Sequence, residues 1–291
     1  MGQDVRTETT ANLDAEDPAR IVIRAIDDRA EVRAVEELQK DVWGIPDVEV
    51  VPLTQMVAAA EAGGVLLGAF DGRDLIGFVY GFVGLEHGRM THHSHMLAVK
   101  PDYRNFNIGY KLKCAQRDFV LAQGIGEMTW TFDPLQSLNA HFNLHRLGAV
   151  SGRYLADFYG TEAASFLHRT GTDRLWVTWP LASRRVSERL DGSTSELKFE
   201  DAMPFVEYGE GGEPVRRDPG RNLSGEPAYL EIPADINALV RQSPELVADW
   251  REATRAAFTA AFAAGYVAVD FARGSTAGKY LLCEGETLRE A

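Results

Sequence analysis

The chain has 291 residues, 45% hydrophobic and 25% charged, and its 43 acidic against 30 basic side chains give a formal net charge of −13. This is the composition of an ordinary folded protein, and its acidity argues against a phosphate backbone as the main ligand, so no nucleic-acid partner is expected. No uncharged apolar run reaches about 18 residues and the polar start lacks the apolar stretch of a secretory signal, so no membrane association and a cytoplasmic location are expected.

In chain order, Met1 to Arg20 is too polar to bury a core and reads as a disordered tail. Ile21 to Ile26 is β-branched and short, a strand. From Ala30 to Val42 the residues Val32, Val35, Leu38 and Val42 recur near helical period. Pro52 opens a second helix that Gly63-Gly64 stops. Two apolar runs, Val65 to Phe70 and Leu75 to Val83, flank Asp71-Gly72-Arg73-Asp74 and predict a β-hairpin. Strict alternation over His92 to Val99 predicts a strand with His93, His95, Leu97 and Val99 on one face and Ser94, Met96 and Ala98 on the other.

A helix with an apolar face of Ile108, Leu112, Ala115, Phe119 and Ala122 follows, ended by Gly124. Then come a strand (Met128 to Phe132), a helix (Leu138 to Leu147) and strands at Ala149 to Tyr159 and Leu175 to Pro180. Trp130, Phe132, Phe142 and Phe158 are expected in the core. Residues 183–226 are rich in Gly, Pro, Ser, Glu and Arg and read as a connector or flap. Beyond it, 227–291 predicts a strand at Tyr229 to Ile232, an Ala-rich helix at Leu246 to Ala264, and a hairpin of Tyr266 to Ala272 with Lys279 to Cys283. The two cysteines, Cys114 and Cys283, lack disulfide or zinc spacing, so no metal is expected.

Chemistry concentrates between Leu97 and Leu112, where a strand runs through a tight turn directly into a helix. The first amides of a helix lack acceptors and sit at the positive end of its dipole, so they can hold a phosphate. Five basic residues (Lys100, Arg104, Lys111, Lys113, Arg117) accompany one acid, Asp102, within an acidic chain.

The run Val99-x-Pro101-x-Tyr103-Arg104-x-x-x-x-Gly109 resembles motif A of the GNAT superfamily of acyl-CoA N-acyltransferases, with Asn107 where the family has its middle glycine. Asparagine tolerates the positive φ that this position needs. The resemblance covers about Ile21 to Leu181, and the C-terminal part resembles bacterial predicted GNAT proteins with such an extension. It implies an α/β (α+β mixed sheet) GNAT core over 21–182 with an added C-terminal strand-helix-hairpin region.

It also implies acetyl-CoA or another acyl-CoA as the cofactor. The pyrophosphate would lie on the amides of Arg104, Asn105, Phe106, Asn107, Ile108, Gly109 and Tyr110, the pantetheine arm along Leu97, Ala98 and Val99, and Asn139 would contact the cofactor. The acyl carbonyl would sit in the gap between the motif strand and the next.

Transfer to an amine needs a base, because an α-amino group has a pKa near 7.7 to 8 and a lysine near 10.4. The position of the family's usual glutamate is His93, and His95 and Asp133 are further candidates. The usual tyrosine acid is replaced by Leu144, with Tyr154 and Tyr159 as substitutes. The expected reaction moves an acetyl, succinyl or other short acyl group to a small-molecule amine such as an amino acid. A non-catalytic acyl-CoA-binding regulator, O-acyl transfer and thioester decarboxylation are the alternatives. The extension is expected to cover the cleft or to contact a second copy in a homodimer.

Overall fold

The computed structural model describes residues 20–160, 171–193, 202–217 and 225–285; the expected tail lies outside them except for Arg20. Strand β1 (Ile21–Ala25) leads to helix α1 (Arg29–Trp43), started by the Asp28 carboxylate on the Ala30 amide and ended by Gly44 in the left-handed region. Helix α2 (Leu53–Glu61) follows, and the buried Gln39 amide fastens α1 to its approach by bonding both the amide and the carbonyl of Val51. The predicted hairpin forms as β2 (Val65–Asp71) and β3 (Asp74–Glu86), with Asp71 opposite Asp74 across Gly72-Arg73.

Strand β4 (Arg89–Val99), a 3-10 turn (Pro101–Phe106) and α3 (Ile108–Ala122) form the motif region. Next come β5 (Glu127–Phe132), the short α4 (Ser137–Ala140) continued by a π-helical turn (His141–Arg146), β6 (Val150–Leu155) and β7 (Arg174–Pro180). The sheet order is β1-β2-β3-β4-β5-β7-β6, with β4 and β5 parallel and the other neighbouring pairs antiparallel. Helices α1 and α2 pack Val32, Val35, Leu38 and Met56 against Phe78, Tyr80 and Ala98 on one face. Helix α3 packs Ile108, Leu112 and Val120 with Val99 on the other. This is the order of elements expected from the sequence over the core.

Several expectations need correction. The buried stripe of α3 is Ile108, Leu112, Lys113, Gln116 and Val120, so the predicted face is rotated, and Phe119 is exposed. Phe158 is exposed as well, outside the predicted core. The segment expected to be a connector contains α5 (Arg184–Leu190), β8 (Met203–Tyr208) and β9 (Pro214–Arg216). The extension adds β10 (Ala228–Pro233), α6 (Ile236–Gln242), α7 (Pro244–Ala263), β11 (Tyr266–Ala272) and β12 (Ala277–Glu284). Its strands carry the sheet onward from β6 in the order β11-β12-β10-β8-β9, joined to the core strands through Ala268 opposite Ser151.

The extension is fastened by ion pairs on three buried carboxylates. The Asp270 carboxylate of β11 accepts from Arg189 of α5 at 2.7 Å, and Asp173 accepts from Arg255 of α7 at 2.6 Å. Arg251 of α7 holds Asp133, just past β5, through two bonds of 2.7 and 3.0 Å. No helix among the described residues is long and apolar enough to cross a membrane.

Candidate active site

Strands β4 and β5 pair only at their beginnings, His92 with Met128 and His93 with Thr129. Beyond those pairs they separate, so the β5-facing edge of residues 94–99 carries no ladder, and a V-shaped gap opens toward the motif turn. Two concavities meet there. A groove of about 360 Å³ is lined by Val99, Arg104, Asn107, Gly109, Tyr110 and Arg146. A cleft of about 590 Å³ holds Ser94, His95, Lys113, Trp130 and Asp133. They share Trp43, Leu97, Asn139 and Phe142, and the two form one continuous path. The volumes suit a cofactor arm and a small molecule.

The groove's helix begins as the motif requires. Asn107 has φ +61° and ψ +22°, the left-handed conformation that a middle glycine would supply, and its carbonyl accepts the first helical bond from Lys111. Its side-chain oxygen accepts from Arg146 at 3.0 Å, which brings a cation from the π turn to the groove. Asn107→Gly should therefore fold about as stably as the parent. Asn107→Val should lower stability by about 1–2 kcal/mol in urea unfolding, because a β-branched side chain resists this backbone.

Of the five motif cations only Arg104 lines the groove, where its Nε donates to the Val99 carbonyl at 3.4 Å. Lys111 is exposed, and Arg117 donates to the Leu181 carbonyl. Leu97, Ala98, Val99, Gly109, Tyr110 and Asn139 all line the groove; Asn105, Phe106 and Ile108 do not, and Ile108 is buried under it. The Cys114 thiol is raised by burial and stays protonated, which suits a packing residue.

His93 and His95 share a face as alternation predicts, but not the face of Leu97 and Val99. Tyr80 pairs with Met96 but Gly81 pairs with Ser94, so His95 has no partner on β3 and forms a β-bulge. The extra residue reverses the faces: His92 and Ser94 point to α3 with Leu97 and Val99, while His93 and His95 share the Phe82 side. His93 is held by Thr129, with Nδ1 3.1 Å from the hydroxyl, and packs on Trp176; burial pushes its pKa down to about 4. His95 is open to the cleft and flanked by the rings of Tyr80, Phe82 and His93; desolvation lowers its pKa, so it is neutral at pH 7.

Asp133 faces the cleft, but its carboxylate accepts from the Leu135 amide as well as from Arg251, which commits it to the turn and the ion pair. Leu144 is buried. Tyr154 bonds the Asp173 carboxylate and stacks on Phe258, and burial raises its pKa far above the ordinary value, so it does not reach the cleft. Tyr159 does line it, from a turn after β6. Among the described residues of the extension only Asn237 lines the cleft, so the extension buttresses the site from the end of β5 more than it covers it.

Sequence reasoning missed Lys113 as a cleft residue. It is fully buried, donates to Ser94 Oγ at 2.8 Å and lies 3.7 Å from the Trp130 ring centre; burial pushes its pKa down to about 7. The available signal was its place on the stripe Gly109, Lys113, Gln116, Val120, which charge counting overlooked.

No family model and no curated protein matches the sequence. Among solved structures the chain is similar to the Escherichia coli ribosomal-protein-S18-alanine N-acetyltransferase, at 13% identity over 62% of this chain and 99% of that one, with a TM-score of 0.45. It is similar at 16% identity to a chain of the NatC complex bound to Gag peptide and CoA, covering 55% and 98%, with a TM-score of 0.45. An aminoglycoside 6'-acetyltransferase type Ii is 16% identical over 56% and 99%, with a TM-score of 0.43. The fold class rests on this chain's own sheet order and strand splay: the described residues between 21 and 180 form a mixed α/β core.

Proposed function

We propose that the protein transfers an acetyl or other short acyl group from acyl-CoA directly to the amine of a small molecule such as an amino acid. The observation that supports this reading most is the continuous path from the Arg104–Tyr110 turn, past the unladdered edge of β4, into the cleft between β4 and β5. Pyrophosphate would take the turn amides, with Arg104 and Arg146 beside them, and the pantetheine arm would pair with residues 97–99. The cleft is roomy enough for a small acceptor. Arg174 at the start of β7 adds positive charge suited to an acceptor carboxylate.

Attack needs a neutral amine. His95 is the base of this reading: neutral, in the cleft, and set forward by the bulge. His93, held by Thr129 behind it, supports its position. His95→Ala is expected to lower kcat by about 100-fold with CoA affinity little changed. An unchanged rate would remove His95 from the mechanism.

The test is a thermal-shift titration with CoA, acetyl-CoA and succinyl-CoA, followed by release of free thiol from the best donor with a panel of amines. Ligand at 100 times Kd should add about 2.7 kcal/mol of stability. A shift with no thiol release for any amine would favour a non-catalytic binding role. No shift at millimolar ligand would overturn the acyl-CoA reading.

A further inference from the structure

Leu144 stands where the family's acid would, Tyr154 is sequestered, and Tyr159 packs against Arg174 at the open end of β5, away from the vertex where β4 and β5 part. Another group occupies the inner end of the cleft. Ser94 is the first β4 residue past the last pair with β5, and Trp130 is the first β5 residue past it. The Lys113 ammonium sits between them, bonded to one and over the ring of the other, so it closes the vertex of the V. We propose that Lys113 donates the proton to the CoA thiolate as it leaves.

Its surroundings suit this. Of its three N–H donors one goes to Ser94 Oγ, which in turn donates to Gln116 Oε1 at 2.8 Å; Gln116 Nε2 lies 3.3 Å from His92 Nε2. The Trp130 ring faces another side of the ammonium and is itself fixed by its Nε1 bond to Asn143 of the π turn. No carboxylate pairs with Lys113 among the described residues, so no opposite charge offsets the loss of solvation, and the group gives up its proton far more readily than an ordinary lysine. The titratable groups around it are His92 and His93 of β4, both further depressed by its charge, with His95, Glu49, Asp133, Tyr159 and Arg174 lining the same cleft; β5 and the π turn present only neutral Trp130 and Asn143. A CoA thiol has a cysteine-like pKa near 8.5. Lys113 is thus the stronger acid, and transfer to sulfur runs downhill.

The role rests on the acyl-transfer reading. The amine nitrogen attacks the thioester carbonyl, the N–C bond forms, and the C–S bond breaks with its electron pair on sulfur. The Lys113 ammonium gives its proton to that sulfur. The proton lost by the new amide nitrogen passes to His95 and then to water, and Lys113 regains one from solvent. Amine and thioester become amide and free thiol.

The test compares the parent with Lys113→Met, Lys113→Gln and Lys113→Arg, each first checked for thermal stability and CoA affinity. For the parent, kcat should fall as pH rises through about 7 and the lysine deprotonates. Met and Gln should lose about 100-fold in kcat and the alkaline fall should vanish, with CoA Kd within threefold. Arg keeps the charge but cannot donate near neutrality, so it should not restore the rate. The proposal is overturned if Met or Gln keeps the rate and the alkaline fall, if the loss lies entirely in CoA binding, or if Arg restores activity. A parent that transfers to no amine overturns the acyl-transfer reading, and this role with it.

Discussion

Arg251→Met is expected to destabilise the protein by about 3–5 kcal/mol, read as a lower urea midpoint, because it removes the bidentate, oppositely charged partner of the buried Asp133 carboxylate. The effect lies 118 residues away in sequence, at the end of β5 where the cleft opens. Adding Asp133→Leu to the same variant should recover most of the loss, since replacing a buried pair by apolar groups is often neutral or stabilising. That double variant also separates two roles for Asp133. If its carboxylate serves only the turn and the ion pair, acyl transfer at low temperature should persist in the double variant. Loss of turnover with retained fold would restore Asp133 as a base.

Gly81→Ala should damage activity more than stability. A Cβ at Gly81 would overlap the His92 imidazole and come to 2.6 Å of the His93 carbonyl oxygen and 2.9 Å of Gln116 Nε2. The carbonyl belongs to the strand that bulges at His95, so the backbone that sets His95 forward must move. Overpacking of this kind costs about 1–3 kcal/mol. A displacement of about 1 Å at a catalytic group can cost roughly 100-fold in rate, so kcat should fall by about that factor. CoA affinity should change little, because the groove residues lie on the far side of the bulge. A variant with parental kcat would show that the bulge does not position the site.

The order of strands and helices in the core was legible because its elements carried local signals: the helical spacing of Val32, Val35, Leu38 and Val42 in α1, an Asp-Gly turn between β2 and β3, and a strand running into Asn107 and Gly109. The bulge was not, because His92 to Val99 alternates without a break; its one trace is Gly81 on the neighbouring strand, whose meaning depends on contacts that β3 alone does not reveal. That single extra residue left His93 and His95 on one face, as alternation predicts, but moved Ser94 to the side of Leu97 and placed the two histidines opposite Leu97 and Val99. Lys113 was hidden for a different reason. A charge count places it with solvated cations, whereas helix phase places it on the buried stripe with Gln116. The strands β8 and β9 escaped notice because their segment has few apolar residues, and their core contribution comes from Phe205 and Val206, with Tyr208 stacked on Trp250. The Asp133–Arg251 pair is a long-range contact with no local precursor in either segment.

The most direct test of the account is a crystal structure of the protein with CoA bound. The account predicts pyrophosphate oxygens on the amides around Asn107 to Tyr110, the pantetheine arm along Leu97 to Val99, and the sulfur at the vertex between β4 and β5 beside Lys113. CoA seated on another face, or with its thiol directed away from that vertex, would contradict it.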